Sequence, residues 1–131
     1  LDLKYRSSNI KNNQIIPKAI FNINYGDFRD IKERMINIKN KRLSSQPIKN
    51  KTSGSTFKNP SNFYAAKLIE ESDCKGMNYG DAIISKQHAN FIINRGSASA
   101  NDIEILGKLV IDKVFNKFNI VLNWEIKIIG D

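Results

Sequence analysis

The sequence predicts an α+β domain, a small mixed sheet with helices packed on it, joined at its amino-terminal side to a short remnant of another domain. Three observations carry this prediction. A long amphipathic helical pattern lies near residues 100–118, short β-like runs lie at 82–85, 89–94 and 121–129, and no regular alternation of strand and helix links them. An alternating order would have indicated a doubly wound parallel sheet instead.

Taken in order, Leu1 lacks an initiating Met and opens into Asp-Leu-Lys-Tyr-Arg-Ser-Ser, which reads as the interior of a longer chain. Residues 14–25 alternate, with Phe21 and Ile23 on one face and Asn22 and Asn24 on the other, predicting a strand that Pro17 weakens and Gly26-Asp27 ends. A helix is predicted over 28–40, because Ile31, Met35 and Ile38 recur at helical spacing between charges. Pro47, Gly54 and Pro60 among Ser, Thr and Asn make 43–62 a loop and the natural domain boundary. Residues 63–72 predict a short helix turning Ala65, Leu68 and Ile69 inward, closed by Lys75-Gly76. The helix over 100–118 begins at Ser99, an N-cap, with Asp102 completing a capping box, and buries Ile103, Leu106, Val110 and Val114. Residues 121–129 alternate as a terminal strand, Trp124 on one face and Glu125 on the other. No internal repeat occurs.

Composition narrows the function classes. The 131 residues carry a formal charge of +8, but the basic residues between Lys32 and Lys58 are interleaved with Asn, Ser and Ile, with no aromatic platform and no nucleic-acid motif. A solvated basic face is favoured over a nucleic-acid surface, and a pocket for one anionic metabolite fits equally well. The longest apolar runs are a few residues, far below the roughly 20 needed to cross a bilayer. A single cysteine, Cys74, and a single histidine exclude an internal disulfide and a zinc site, which favours a reducing cytoplasm.

Candidate chemistry is sparse. In the run from Ser53 to Pro60, Gly54 allows a tight backbone path that can hold the Ser55 hydroxyl outward. Lys58 adds a cation there, and Asn59 a donor and an acceptor. An ordinary turn would look the same. Glu125 in an apolar strand is either solvent-facing or kept for a task, His88 reads first as a structural hydrogen-bonding group, and Arg6 could clamp a carboxylate or pair at the surface.

Their combination is more informative. Tyr5-Arg6-Ser7-Ser8, Gly26-Asp27, Arg42 with Gln46-Pro47, Gly54-Ser55-Thr56-Phe57-Lys58-Asn59-Pro60, Ala65-Ala66-Lys67-Leu68-Ile69-Glu70, Lys75-Gly76, Gly80, His88-Ala89-Asn90-Phe91-Ile92-Ile93-Asn94 and Glu125-Ile126-Lys127-Ile128-Ile129-Gly130 together resemble the UDP-N-acetylenolpyruvoylglucosamine reductases, nearer to the shorter form of that family. The resemblance implies residues 1–47 as the end of an FAD-binding domain with a connecting helix, and 48–131 as the substrate-binding domain. It implies reduction of an enolpyruvyl group by NADPH through FAD in peptidoglycan precursor synthesis, with UDP-N-acetylglucosamine enolpyruvate as substrate.

Ser55 matches the family's proton-donating serine, and Arg6 and Glu125 match the pair that polarises the substrate carboxylate. Asn59, Lys75 and His88 match positions contacting the nucleotide diphosphate or substrate, although longer members carry Gln in place of His88, and Tyr25 resembles a substrate-contacting tyrosine. Flavin contacts fall mostly before Leu1, so the chain alone is expected to be inactive. A cytoplasmic monomer with no nucleic-acid or membrane partner is expected. The competing reading is a noncatalytic module for a nucleotide sugar or polyanion built on Lys58 and Lys75, and a nucleic-acid-binding domain stands third.

Overall fold

The structure, a computed structural model, describes residues 2–11 and 13–130. It divides into two units, one running to Asn37 and the other starting at Ile38.

The first unit opens with a two-residue-loop hairpin of β1 (Leu3–Lys4) and β2 (Ser7–Ser8), paired antiparallel as Leu3 with Ser8 and Lys4 with Ser7. Arg6 occupies the turn with φ of 55°, the left-handed conformation a tight hairpin demands. The strand predicted over 14–25 does not form, since no described segment offers it a ladder. Its apolar side chains stand in solvent, Phe21 81% and Ile23 87% exposed. Alternation encodes a strand only where another strand supplies hydrogen bonds. Helix α1 (Phe28–Ser45) follows, and the unit division falls within it. The Asp27 carboxylate accepts from the N–H groups of Arg29 and Asp30 at 2.8 and 3.2 Å, which caps its start. None of the helix's residues is buried, so Ile31, Met35 and Ile38 form no core face. It runs five residues past the predicted end, and Pro47 stops it.

The second unit holds the core. Helix α2 (Ala65–Glu71) buries Ala65, Leu68 and Ile69 as predicted. Strands β3 (Asn78–Tyr79), β4 (Ala82–Ile84) and β5 (Ile92–Asn94) make one sheet in the order β3-β4-β5, antiparallel at each pairing. Helix α3 (Ala100–Phe118) has the predicted bounds and capping box: Ser99 Oγ accepts from Asp102 N–H at 3.1 Å, and Asp102 Oδ2 accepts from Ser99 N–H at 2.9 Å. Its buried Leu106, Val110 and Val114 pack with Ile69, Ile84 and Leu122. Three such side chains contribute roughly 5–9 kcal/mol as an upper figure, against about 1 kcal/mol for the cap, so packing holds this helix.

The terminal segment departs from prediction. Only Trp124 pairs, with Phe57, and beyond it Ile128 and Ile129 are exposed. A partner of three residues, Thr56 to Lys58, is too short to organise nine. Leu122 is nevertheless fully buried, and Trp124 lies over Gly107 of α3, where an added methyl would meet Trp124 Cη2 at 1.9 Å. Gly107 is there because only hydrogen leaves room for the indole.

Among the described residues no helix is long and apolar enough to cross a membrane, and no group of acidic, His or Cys side chains could hold a metal.

Candidate active site

Everything around Ser55 depends on how a segment outside the named strands is held. Gly54 has φ of 93° and open space where a side chain would stand, so its role is conformational. Ser55 then bridges to Phe91, and Phe57 to Trp124, so residues 55–58 run as a short rib between two neighbours. On one side Thr56 N–H donates to the Asn90 carbonyl at 2.8 Å. On the other, Glu125 N–H donates to the Thr56 carbonyl at 2.8 Å, and Lys58 N–H to the Asn123 carbonyl at 2.8 Å.

Side chains finish the job where backbone pairing runs out. Asn90 Oδ1 accepts from Phe57 N–H at 2.9 Å while its Nδ2 donates to the Phe57 carbonyl at 2.8 Å. The amide thus imitates a strand neighbour. Thr56 Oγ1 accepts from Ile92 N–H at 3.2 Å. Thr56, Phe57 and Asn90 are all buried, so each of these bonds also avoids the desolvation penalty of an orphaned polar group, about 1–3 kcal/mol.

Ser55 emerges half-buried on the wall of an open cleft of about 490 Å³. Arg42, Gln46, Asn50, Ser53 and Phe91 line it too. Its donors are a guanidinium, amides and hydroxyls, a set that suits a carboxylate or phosphate. Glu125 is one rung from Ser55 on the ladder and half-buried, which sets aside the purely solvent-facing alternative.

A second cluster lies around α2 and the segment before β5. Lys75 Nζ sits 2.5 Å from Glu70 Oε1. The His88 ring meets Phe91 edge-on at 4.7 Å, and its Nδ1 accepts from Asn90 N–H at 3.3 Å. Burial lowers the His88 pKa below its usual value; its backbone hydrogen bond opposes this, Lys75 reinforces it and Glu70 opposes it. The imidazole is therefore favoured neutral, with Nδ1 as acceptor. Asn59 Oδ1 accepts from Ala65 N–H at 3.0 Å at the entry to α2.

The second unit therefore carries Ser55 and Glu125 on one short ladder, where Glu125 pairs with Thr56 rather than with Ser55, places His88 next to the Asn90 latch, and holds Asn59 and Lys75 on the two flanks of α2. Arg6 and Tyr25 belong to the first unit. Arg6 stacks its guanidinium 5.8 Å from the Tyr5 ring centre, and Tyr25 borders a cleft of about 560 Å³ with Asp27, Asp30 and Arg34.

Sequence reasoning missed four contributors. Asn90 was detectable as one amide inside the apolar run from Ala89 to Ile93, where an unpaired polar group would be unstable. Arg42 and Gln46 appear in the resemblance but carry no expected role, because the cleft they line exists only once α1 ends beside the Ser55 segment. Gly107 gave no signal, since its need for space comes from Trp124.

Flavin cofactors require a cradle for their phosphates, commonly a glycine-rich turn at a helix N-terminus. The described residues contain no such turn, and the Ser55 cleft fits at most one end of so large a molecule.

Comparison with known proteins gives a consistent result. Residues 46–129 match the family model described as UDP-N-acetylenolpyruvoylglucosamine reductase, C-terminal domain. The chain is 48% identical over 130 residues to the UDP-N-acetylenolpyruvoylglucosamine reductase of Rickettsia bellii strain RML369-C, covering 99% of this chain and 43% of that protein. It is 46% identical over 132 residues to the enzyme of that name from Clostridium tetani, covering 100% of this chain and 43% of that one. The crystal structure of the Thermus caldophilus reductase superposes with a TM-score of 0.60 at 39% identity, over 74% of this chain and 34% of that chain. The chain thus spans less than half the length of the curated relatives it matches.

Proposed function

Because the chain belongs to the UDP-N-acetylenolpyruvoylglucosamine reductase family through that enzyme's carboxyl-terminal domain, we propose that it is the substrate-binding part of such a reductase. The observation that supports this is Ser55 on the wall of a cleft whose Arg42, Gln46 and Asn50 suit an anionic substrate, on a segment held by its backbone neighbours. The substrate is UDP-N-acetylglucosamine enolpyruvate, and the setting is the cytoplasmic synthesis of a peptidoglycan precursor by a monomeric enzyme.

FAD held by the rest of such a reductase would, once reduced by NADPH, supply the hydride that the enolpyruvyl group takes up. Its binding residues lie mainly in the part of the reductase this chain does not span, since the described residues lack a phosphate cradle. Charge then develops on the substrate carboxylate and C2. Arg6 and Glu125 polarise that carboxylate, an effect that strengthens as water is excluded. Ser55 gives its proton to C2. A serine hydroxyl is a weak acid, so the basicity of carbanion-like C2 supplies the drive. Lys75, His88 and Asn59 hold the nucleotide end, and Tyr25 contacts substrate.

The test separates the half-reactions. In a full-length reductase carrying this chain, Ser55→Ala leaves flavin reduction by NADPH intact and slows reoxidation by substrate about 100-fold or more. Reoxidation at the unaltered rate in a rapid-mixing experiment removes Ser55 from the mechanism.

A further inference from the structure

We propose that Asn90 is a positioning residue for proton delivery, a role that rests on Ser55 being the donor. Ser55 itself is joined to its surroundings by one bridge, to Phe91. Its aim is inherited from Thr56 and Phe57, and three hydrogen bonds tie those two residues to Asn90: one to its main-chain carbonyl and two to its side-chain amide. Asn90 is 5% exposed, and its amide uses both its oxygen and its nitrogen on one residue's backbone.

Geometry explains why an amide is needed. Phe57 presents both N–H and C=O toward position 90, so the partner must accept and donate at once. A regular strand would do this with its backbone, but the chain before β5 turns through His88 and Ala89, with Phe91 N–H donating to the His88 carbonyl at 3.1 Å. The missing rung is replaced by the Asn90 side chain. Release of either bond frees the segment carrying Ser55, and displacement of a reacting group by about 1 Å can slow a reaction about 100-fold.

The informative substitution is Asn90→Asp, which has the same shape. Protonated, its carbonyl oxygen accepts from Phe57 N–H and its hydroxyl donates to the Phe57 carbonyl, so both bonds persist. Ionised, it sets a carboxylate against that carbonyl and one bond is lost. A buried carboxyl holds its proton above the usual range, so the change falls at accessible pH.

The experiment uses a full-length reductase carrying this chain, with Asn90→Asp, Ser55→Ala and the double variant. At about pH 8, Asn90→Asp is expected to slow substrate-driven flavin reoxidation about 10- to 100-fold. NADPH-driven reduction and substrate Kd stay within about twofold, and acidification toward about pH 5.5 restores the rate relative to the unaltered enzyme. In the double variant the loss is no greater than in Ser55→Ala alone, because two groups acting through one donor are not additive. If Asn90→Asp unfolds at the higher pH, Asn90→Ser, whose single hydroxyl cannot meet both the N–H and the carbonyl of Phe57, is expected to show the same selective loss, and reoxidation at the unaltered rate in that variant overturns the positioning role.

A pH-independent loss, or losses that multiply in the double variant, overturns the positioning role while leaving Ser55 as donor. Unaltered reoxidation in Ser55→Ala overturns the donor reading and this role with it. The two failures are therefore read from different variants.

Discussion

Replacing Gly107 with Ala sets two effects of opposite sign against each other. In an exposed helix the change would stabilise by about 1 kcal/mol, because glycine loses more backbone entropy on folding. Here the new methyl would lie 1.9 Å from Trp124 Cη2, 2.7 Å from Cζ3 and 2.9 Å from Cζ2. Carbon contacts settle near 3.5–4 Å, so the indole must withdraw by roughly 1.5–2 Å. Overpacking of this kind costs about 1–3 kcal/mol. Withdrawal also disturbs the ring pair with Phe57, whose centroids are 5.0 Å apart, for about 0.5–1.5 kcal/mol more. Steric strain wins, with a net loss near 2 kcal/mol.

For a unit of this size that lowers Tm by about 8–16 °C, at 4–8 °C per kcal/mol. Thermal unfolding followed by circular dichroism measures it, and the fluorescence of the single Trp124 reports the site directly. The Phe57–Trp124 bridge adjoins the Glu125 to Thr56 hydrogen bond, so an emission shift is expected even in the folded state. An unchanged spectrum with a raised Tm, as helix propensity alone predicts, refutes the packing argument.

Other outcomes follow from single features. His88 has its pKa lowered from 6.5 on folding, so the unfolded chain binds the proton more readily; stability present above about pH 6.5 is lost as pH falls toward and through the folded-state pKa. His88→Gln should flatten that part of the urea midpoint against pH, and an equally steep profile would assign the slope elsewhere. Ser99→Ala removes the acceptor for Asp102 N–H and should destabilise by about 1 kcal/mol in urea unfolding, a midpoint unchanged within error counting against the cap. The chain mixed with FAD should show no stoichiometric bound-flavin spectrum, because the described residues lack a phosphate cradle; tight binding would contradict this.

Local physics was legible before any coordinates. The Ser99-to-Phe118 helix, its capping box and the inward Ala65, Leu68 and Ile69 were readable because each depends on residues within one or two turns. So was the motif around Ser55. Residues 14–25 and 121–129 misled for a common reason: alternation reports which face would be buried, while a strand also needs a neighbour with free backbone groups. Residues 14–25 have no such neighbour among the described residues, and the terminal segment has one three residues long.

The sequence by itself determined the family and the α+β class, since these reside in residue identities and short-range spacing. Only tertiary structure decided that Asn90 substitutes for a strand, that Gly107 makes room for Trp124, and that Arg42 shares a cleft wall with Ser55. Those contacts join positions 13 to 33 residues apart, and no local pattern encodes a hydrogen bond or a void whose second wall arrives from elsewhere in the chain.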